Sequence, residues 1–247
     1  MVHADMRIAR VQAQTMGKVA VPVDHAKPTE TPLGLPTFSS PTLRERVYAG
    51  LRQAIADRRL APGTLINEGE LATSFSVSRS PIREAVQQLH SDRLVTRRAN
   101  GRYMVAVLSD DELRNLYAVR ACLEGLASQE AAGKMTATEL DALEALIGDE
   151  RKAAEDRDLS ALLDIGTKLH RFLAACCGNP ELQRMVYLLL DRVKPFTVVS
   201  TSLPERTTTV VAEHSQLLAA FQRRDAFGAR STMEEHIGFS RDRLLRR

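Results

Sequence analysis

Apolar residues recur at three- and four-residue spacing over a short segment in the first half of the chain, which predicts a helix. The stripe consists of Ile82, Ala85, Val86 and Leu89. Ser78 is a suitable N-cap, and Pro81 is tolerated because the first turn donates no N–H groups to internal bonds. Arg79 and Arg83 are four residues apart and share a face away from most of that stripe. Two guanidiniums near a positively polarised helix start suit an anionic partner.

A second, shorter helix is predicted directly before this one. Asn67 can cap a helix over residues 68–75, and Ser76-Val77 leaves room only for a tight turn. A short helix, a turn and a helix with arginines at its N-terminal end predict a helix-turn-helix, whose second helix enters the DNA major groove. Any amphipathic helix pair can mimic this pattern, so a second indication is needed.

A basic β-hairpin follows and supplies that indication. Residues 95–99 and 102–107 alternate like strands, and Asn100-Gly101 between them predicts the turn. Arginines flank the tip, among them Arg98. A hairpin directly after a helix-turn-helix is the wing of a winged helix, which can reach a phosphate or the minor groove.

Several short motifs of this region occur together in one known family. They are Pro62-Gly63, Leu65, Asn67-Glu68, Glu70-Leu71-Ala72, residues 77–86 and Leu89. With these motifs, residues 40–107 resemble the DNA-reading domain of GntR-type bacterial transcription regulators. The resemblance implies contacts to bases or phosphates from Ser78, Arg79, Ser80 and Arg83, and from Asn100 and Gly101 at the wing tip.

Two residues depart from the pattern of this family. Gly69 stands where many members carry an arginine, so one expected DNA contact is missing. Arg93 replaces the usual glycine before the wing, and a positive φ there would cost backbone energy.

Helical periodicity dominates the rest of the chain. Ser40-Pro41 is expected to open a helix that packs behind the DNA-reading pair. After a capping box at residues 109–112, helices are predicted at 110–133, 138–156, 159–177, 180–203 (broken at Pro195), 206–223 and 226–246. The fold class is therefore mainly α: a winged helix-turn-helix at 40–107 and a six- or seven-helix antiparallel bundle at 108–247. Residues 1–39 lack periodicity and are expected to be a disordered tail.

Charge supports this division of the chain. Residues 37–108 carry eleven basic and six acidic side chains, whereas residues 109–247 carry nineteen and twenty-two. Positive charge is thus concentrated where phosphates would bind. No apolar run is long enough to cross a membrane, and the three cysteines show no disulfide or zinc spacing. We expect a cytoplasmic protein.

Three histidines of the predicted bundle, His170, His214 and His236, each lie on the apolar face of a different helix. A lone histidine in this setting is usually a core residue that has its hydrogen bonds satisfied. Three of them in one bundle could instead converge on a divalent metal, because neutral imidazole suits zinc or nickel. The sequence alone does not show that they converge.

The bundle carries motifs of its own. They are Leu116 to Arg120 with Glu124, Leu169-His170, Gly178-Asn179, Glu213-His214, Asp225 and Glu235-His236. These resemble the FCD-type effector domain of the FadR branch of the same family. The resemblance implies a metal held by three histidines and by an aspartate, sometimes an asparagine, four positions before the first histidine; here that position is Gly166. Three histidines with water can still bind zinc or nickel and take a carboxylate effector, or they can hydrogen-bond an acid without metal.

Arg120 is the further candidate for effector binding. Apolar neighbours surround it on its helix, and a buried arginine is costly unless it is paired. It either forms an ion pair with Glu124 one turn later or binds the carboxylate of an effector.

Together these features predict a homodimeric transcription regulator that binds a short inverted repeat in double-stranded DNA. Family behaviour suggests repression relieved by a small organic acid. One rival is a metal-dependent hydrolase that uses the same three histidines, although no further acid or nucleophile motif stands out near them. Another is a DNA-binding protein with a purely structural bundle. We expect no enzymatic activity and no membrane partner.

Overall fold

The computed structural model describes residues 41–197 and 204–246, so the tail expected at residues 1–39 lies outside the described part. Helices predominate, and the mainly α class is confirmed. The N-terminal part contains α1 (Leu43–Ala56), α2 (Glu68–Phe75), α3 (Arg79–Ser91), β1 (Val95–Arg97) and β2 (Tyr103–Val105). None of the described helices is long and apolar enough to span a membrane.

Helix α1 begins slightly later than expected. Thr42 is the N-cap, and it forms a capping box with Glu45, so the predicted start at Ser40-Pro41 is wrong. A threonine with glutamate three residues later satisfies two helix-start N–H groups reciprocally, which fixes the start there. Val47, Leu51 and Ile55 are buried and pack in one core with the apolar stripe of α3.

The helix-turn-helix has the predicted elements. Asn67 caps α2 by accepting hydrogen bonds from the N–H groups of Gly69 and Glu70. Ser76 has a φ of 54°, which helps turn the chain from α2 to α3 within three residues. Arg93, just after α3, has a φ of 59°, so the left-handed conformation considered above is present without glycine.

The wing is a short antiparallel hairpin. Val95 pairs with Val105 and Arg97 with Tyr103, which leaves a three-residue loop between Arg98 and Arg102. The predicted two-residue Asn-Gly turn is therefore wrong, because Gly101 alone has positive φ (79°) in the tip. This matches a three-residue hairpin loop that ends in a left-handed glycine. Residues 64–66 bond to the other edge of β2.

The C-terminal part is a bundle of long helices. They are α4 (Asp110–Ala132), α5 (Ala137–Glu155), α6 (Leu159–Cys176), α7 (Pro180–Thr197), α8 (Pro204–Gln222) and α9 (Ala226–Leu245). Pro195 lies inside α7 without ending it, so the predicted break there is wrong; the end predicted at residue 203 lies outside the described residues. Helix α4 packs along α9, and α6 lies against α4, α5 and α7. One apolar core joins these helices and leaves a cavity between them.

Candidate functional site

The predicted DNA-binding residues of α3 lie on an exposed face. Ser78 has extended backbone at the N-cap position, but its hydroxyl makes no capping hydrogen bond, contrary to expectation. Arg79, Ser80 and Arg83 are exposed on the first turns of the helix, and Ser80 donates a hydrogen bond to Glu84. The uncapped helix start leaves backbone N–H groups and the Ser78 hydroxyl available to an anion.

The two arginines of this face differ in their surroundings. Arg83 Nε donates to Glu68 Oε2 of α2 at 2.7 Å. Arg79 lies over the start of α2, where a Cβ on Gly69 would be 3.5 Å from its Nη2 atom. This is an ordinary van der Waals distance, so the Arg79 guanidinium packs directly beside Gly69.

The wing tip carries the remaining predicted contacts. Arg98 and Asn100 are exposed, and Gly101 is half-buried. Asn100 Oδ1 accepts a hydrogen bond from the N–H of Arg102, and Arg97 Nε donates to the Gly101 carbonyl. The tip is thus stiffened by its own side chains while Arg98 points to solvent.

In the helical bundle, the three predicted histidines converge in one cavity. His170 comes from α6, His214 from α8 and His236 from α9, and all three are buried. One nitrogen from each ring lies within 4.8 Å of the others, and Nε2 of His170 is 3.2 Å from Nε2 of His236. Helices distant in sequence therefore bring three imidazoles to a common point.

Each histidine has a glutamate on its outer side. His214 Nδ1 donates to Glu150 Oε2 and His236 Nδ1 to Glu213 Oε2, both at 2.7 Å. His170 Nδ1 lies 2.7 Å from Glu124 Oε2, in a poorer direction for a hydrogen bond. A carboxylate only accepts, so it favours the tautomer with the proton on Nδ1.

Burial and charge act together on these groups. Burial alone would raise the pKa of Glu124 and Glu213, but their arginine and histidine partners outweigh it and hold each pKa at about 2. Burial lowers the pKa of His236 to about 3 and lowers that of His170 as well. The two carboxylates are therefore ionised and the two imidazoles neutral near pH 7.

This donor set fits a divalent metal. With protons held on Nδ1, the Nε2 lone pairs of His170, His214 and His236 face one another, and His214 Nε2 has no hydrogen-bond partner among the described residues. Lone pairs that converge in a buried site repel unless a proton or a metal ion lies between them, and three rings leave more than one such contact to satisfy. Imidazole nitrogens backed by carboxylates are the ligands that zinc and nickel accept.

Cations also line the cavity. Arg120 is buried, donates to Glu124 Oε1 at 2.7 Å and stacks over the ring of Tyr117, so the ion pair considered above is present beside the cavity. Arg243 binds both oxygens of Glu213. Lys194 reaches the cavity from α7. Three cationic side chains thus line the cavity, each of them paired with an acidic side chain.

Sequence reasoning missed part of this site. It found no further acid near the histidines, whereas the structure places three carboxylates there. Glu150 had a readable signal, because it stands on the same face of α5 as Leu143 and Ile147, where a charge is unexpected. Glu213 was noted beside His214, but it contacts His236 of another helix. Only the tertiary structure reveals that pairing.

Each of the two parts of the chain matches a known protein family. Residues 43–105 match the family described as bacterial regulatory proteins, gntR family, and residues 115–239 match the FCD domain. The HTH-type transcriptional repressor RspR of Escherichia coli (strain K12) is 27% identical over 198 residues, which cover 79% of this chain and 86% of that protein. The Nta operon transcriptional regulator of Aminobacter aminovorans is 33% identical over 135 residues, covering 54% and 63%.

Solved structures share the fold. McbR/YncC of E. coli superposes with a TM-score of 0.76 at 22% identity and covers 83% of this chain and 98% of its own. A transcriptional regulator GntR from Rhodococcus sp. RHA1, described as putative in its own name, superposes with a TM-score of 0.69 at 20% identity, covering 82% and 97%. These similarities confirm the predicted fold class.

Proposed function

Because this chain belongs to the gntR family of bacterial regulatory proteins and carries an FCD domain, we propose that it is a homodimeric repressor released from its operator by a small organic acid. It is a DNA-binding transcription regulator of the GntR/FCD type. The relative RspR is named a repressor, which supports the same output here. Its DNA target requires a cytoplasmic location.

DNA reading is assigned to the exposed start of α3 and to the wing. Arg79 and Arg83 are exposed there and would contact base edges, while Ser78 and Ser80 would contact phosphates. Arg98, with the backbone of Asn100 and Gly101, would contact the DNA flanking the major groove. A two-fold dimer would set two such helices about 34 Å apart on an inverted repeat.

The convergence of three histidines in a cavity lined by cations is the observation that carries the effector proposal. His170, His214 and His236 would hold zinc or nickel. Such an ion supplies positive charge and an open position for a carboxylate. Arg120, which lines the same cavity, would donate to the acid as well as to Glu124. An apolar wall that includes Leu162 and Val193 favours a small organic acid over a bare inorganic anion.

A hydrolase using the same histidines is the weaker candidate. The chain matches a regulator family over both of its parts, and an enzyme would have no use for the DNA-binding half. The carboxylates beside the histidines are engaged with Nδ1 atoms on the outer side of the rings, where they orient the imidazoles.

The experiment starts from the full-length protein. Elemental analysis should find zinc or nickel in it, and thermal melts should rise when either ion is restored after chelation. A panel of small mono-, di- and tricarboxylates is then screened by the same melts. The acid with the largest shift should release a DNA fragment from upstream of the gene in a gel-shift assay.

Two histidine variants test the metal site, one inside the cavity and one outside it as a control. His214→Ala should abolish the metal-dependent shift, whereas His90→Ala, at the end of α3 outside the cavity, should not. A protein that binds its operator but responds to neither metal nor any acid would contradict the effector proposal and leave the DNA-binding function standing.

A further inference from the structure

Glu150 is a fully buried carboxylate in the cavity wall, on a face of α5 that is otherwise apolar. Its Oε2 accepts the Nδ1–H of His214 at 2.7 Å. Its Oε1 is also buried and has no hydrogen-bond partner among the described residues. An unpaired carboxylate oxygen inside a protein is costly, so this atom indicates a bound partner.

Gly166, one helical turn before His170 on α6, explains how Glu150 fits. Its backbone is helical, so no positive φ requires a glycine there. A Cβ at residue 166 would lie 3.4 Å from Glu150 Oε1, and no other described atom outside its own helix and neighbours comes within 4 Å. A longer side chain at residue 166 would take the space that the Glu150 carboxylate uses.

We propose that Glu150 supplies the acidic group that residue 166 lacks at the metal centre, and that Gly166 is the space that admits it. This inference rests on the metal site proposed above. It accounts for Gly166 at a position where the family resemblance led us to expect an acidic ligand.

Glu150 acts as a positioning residue. Its Oε2 contacts Nδ1 of His214, and the ion would lie on the opposite Nε2 side of the same ring. The negative charge of Glu150 would make His214 Nε2 a stronger metal ligand and would offset part of the positive charge of the ion. Its Oε1 faces residue 166 and can accept a hydrogen bond from a molecule bound in the cavity.

Zinc affinity of the full-length protein, measured by competition with a chromophoric chelator, tests this assignment. Glu150→Gln keeps the shape and an acceptor for His214 but removes the charge, and it should weaken zinc binding about 10- to 100-fold. In chelator it should melt no lower than wild type, because an unpaired buried charge is gone. Glu144→Gln, exposed on the same helix, should bind zinc like wild type.

A second-site change separates a metal role from a structural one. Gly166→Asp alone brings two carboxylates together and should lower the melting temperature in chelator. In the double variant Glu150→Gln/Gly166→Asp, the carboxylate of residue 166 on α6 replaces the one lost from residue 150 on α5. Zinc affinity should therefore be at least tenfold higher than in Glu150→Gln alone. If Glu150→Gln does not fold, Glu150→Leu, which suits an apolar core position, replaces it in both comparisons.

The outcomes distinguish this inference from the proposed function. Zinc bound equally by wild type and Glu150→Gln would overturn the role of Glu150 and leave the three-histidine site standing. A double variant that binds no better than Glu150→Gln would overturn the exchange between residues 150 and 166. Wild-type protein without measurable zinc or nickel affinity would overturn the metal site, and the role of Glu150 with it.

Discussion

Arg83 is held in place before DNA arrives, because its guanidinium already pairs with Glu68 of the preceding helix. The Arg83 side chain is 62% exposed, and exposed ion pairs contribute little to stability. A base edge or phosphate can therefore displace Glu68 at small cost. Until then, the pair keeps the guanidinium against the recognition face. Arg79 lies beside Gly69 at the start of α2 and forms no ion pair with any of the described residues.

The double change Arg79→Ala and Arg83→Ala should abolish specific operator binding and leave the fold intact, because both side chains are exposed. A bidentate arginine–guanine pair contributes about 1–3 kcal/mol, and a dimer makes each such pair twice. Gel-shift titration at fixed salt measures the weakening. Arg114→Ala, which removes one positive charge from the exposed surface of α4, is the control and should bind normally. Wild-type affinity in the double variant would show that α3 does not read the operator.

The wing is expected to act through charge alone. Arg98→Ala should weaken binding to operator and unrelated DNA by the same factor, because binding to a phosphate carries no sequence information. The slope of log affinity against log salt should fall by about one for each phosphate that Arg98 no longer neutralises. Fluorescence anisotropy over a salt series measures both quantities. Weakening confined to the operator would instead assign Arg98 to base reading.

At the scale of elements, most of the fold could be predicted because helices are specified by local sequence patterns. Apolar periodicity and the capping box at Ser109 and Glu112 predicted the start of α4, where the structure has it. The errors came from competing local signals: Thr42 with Glu45 outweighed Ser40-Pro41, and Pro195 is tolerated in the last described turn of α7. Packing around Pro195, which is buried, is not visible in a local pattern.

The candidate site could be predicted only in part. His170, His214 and His236 were found from their apolar helix faces, but their convergence depends on how α6, α8 and α9 pack. Their carboxylate partners are between 23 and 64 residues away along the chain, on helices that the sequence does not place in space. Glu150 in particular needs the observed approach of α5 to α6 before it can be linked to Gly166.

The start of α4 offers a test at this scale. Ser109 Oγ accepts the N–H of Glu112, and Glu112 accepts in return from the Ser109 N–H and hydroxyl. Ser109→Ala should therefore lower the free energy of unfolding by about 1 kcal/mol. Urea unfolding measures this change. Ser160→Ala, exposed inside the first turn of α6, should be neutral or slightly stabilising; equal effects of both changes would contradict the capping role.

At the scale of the whole molecule, ion pairs join the DNA-reading part to the helices that form the cavity. Asp191 of α7 is buried and binds both Arg52 of α1, at 3.2 Å, and Arg171 of α6. Lys194, one turn further along α7, lines the cavity and lies 3.6 Å from Asp57 at the end of α1. Helix α1 packs in turn against the recognition helix. A shift of α6 or α7 on ligand binding would thus act on α1 through these charged side chains.

Arg171 follows His170 directly, so the histidine site and the ion pair with Asp191 share one turn of α6.

We expect Arg52→Ala to leave zinc affinity and the melting shift caused by the acid unchanged, since Arg52 lies outside the cavity. It should weaken the release of operator by that acid. Typical coupling between sites is about 1–3 kcal/mol, or roughly 5- to 150-fold in affinity, and the variant should reduce that factor several-fold. Anisotropy titrations with and without the acid give the coupling as a ratio of operator affinities. Arg46→Ala, exposed on the same helix, removes the same charge and should keep the wild-type ratio; an unchanged ratio in Arg52→Ala would show that the signal reaches α3 without the ion pair to Asp191.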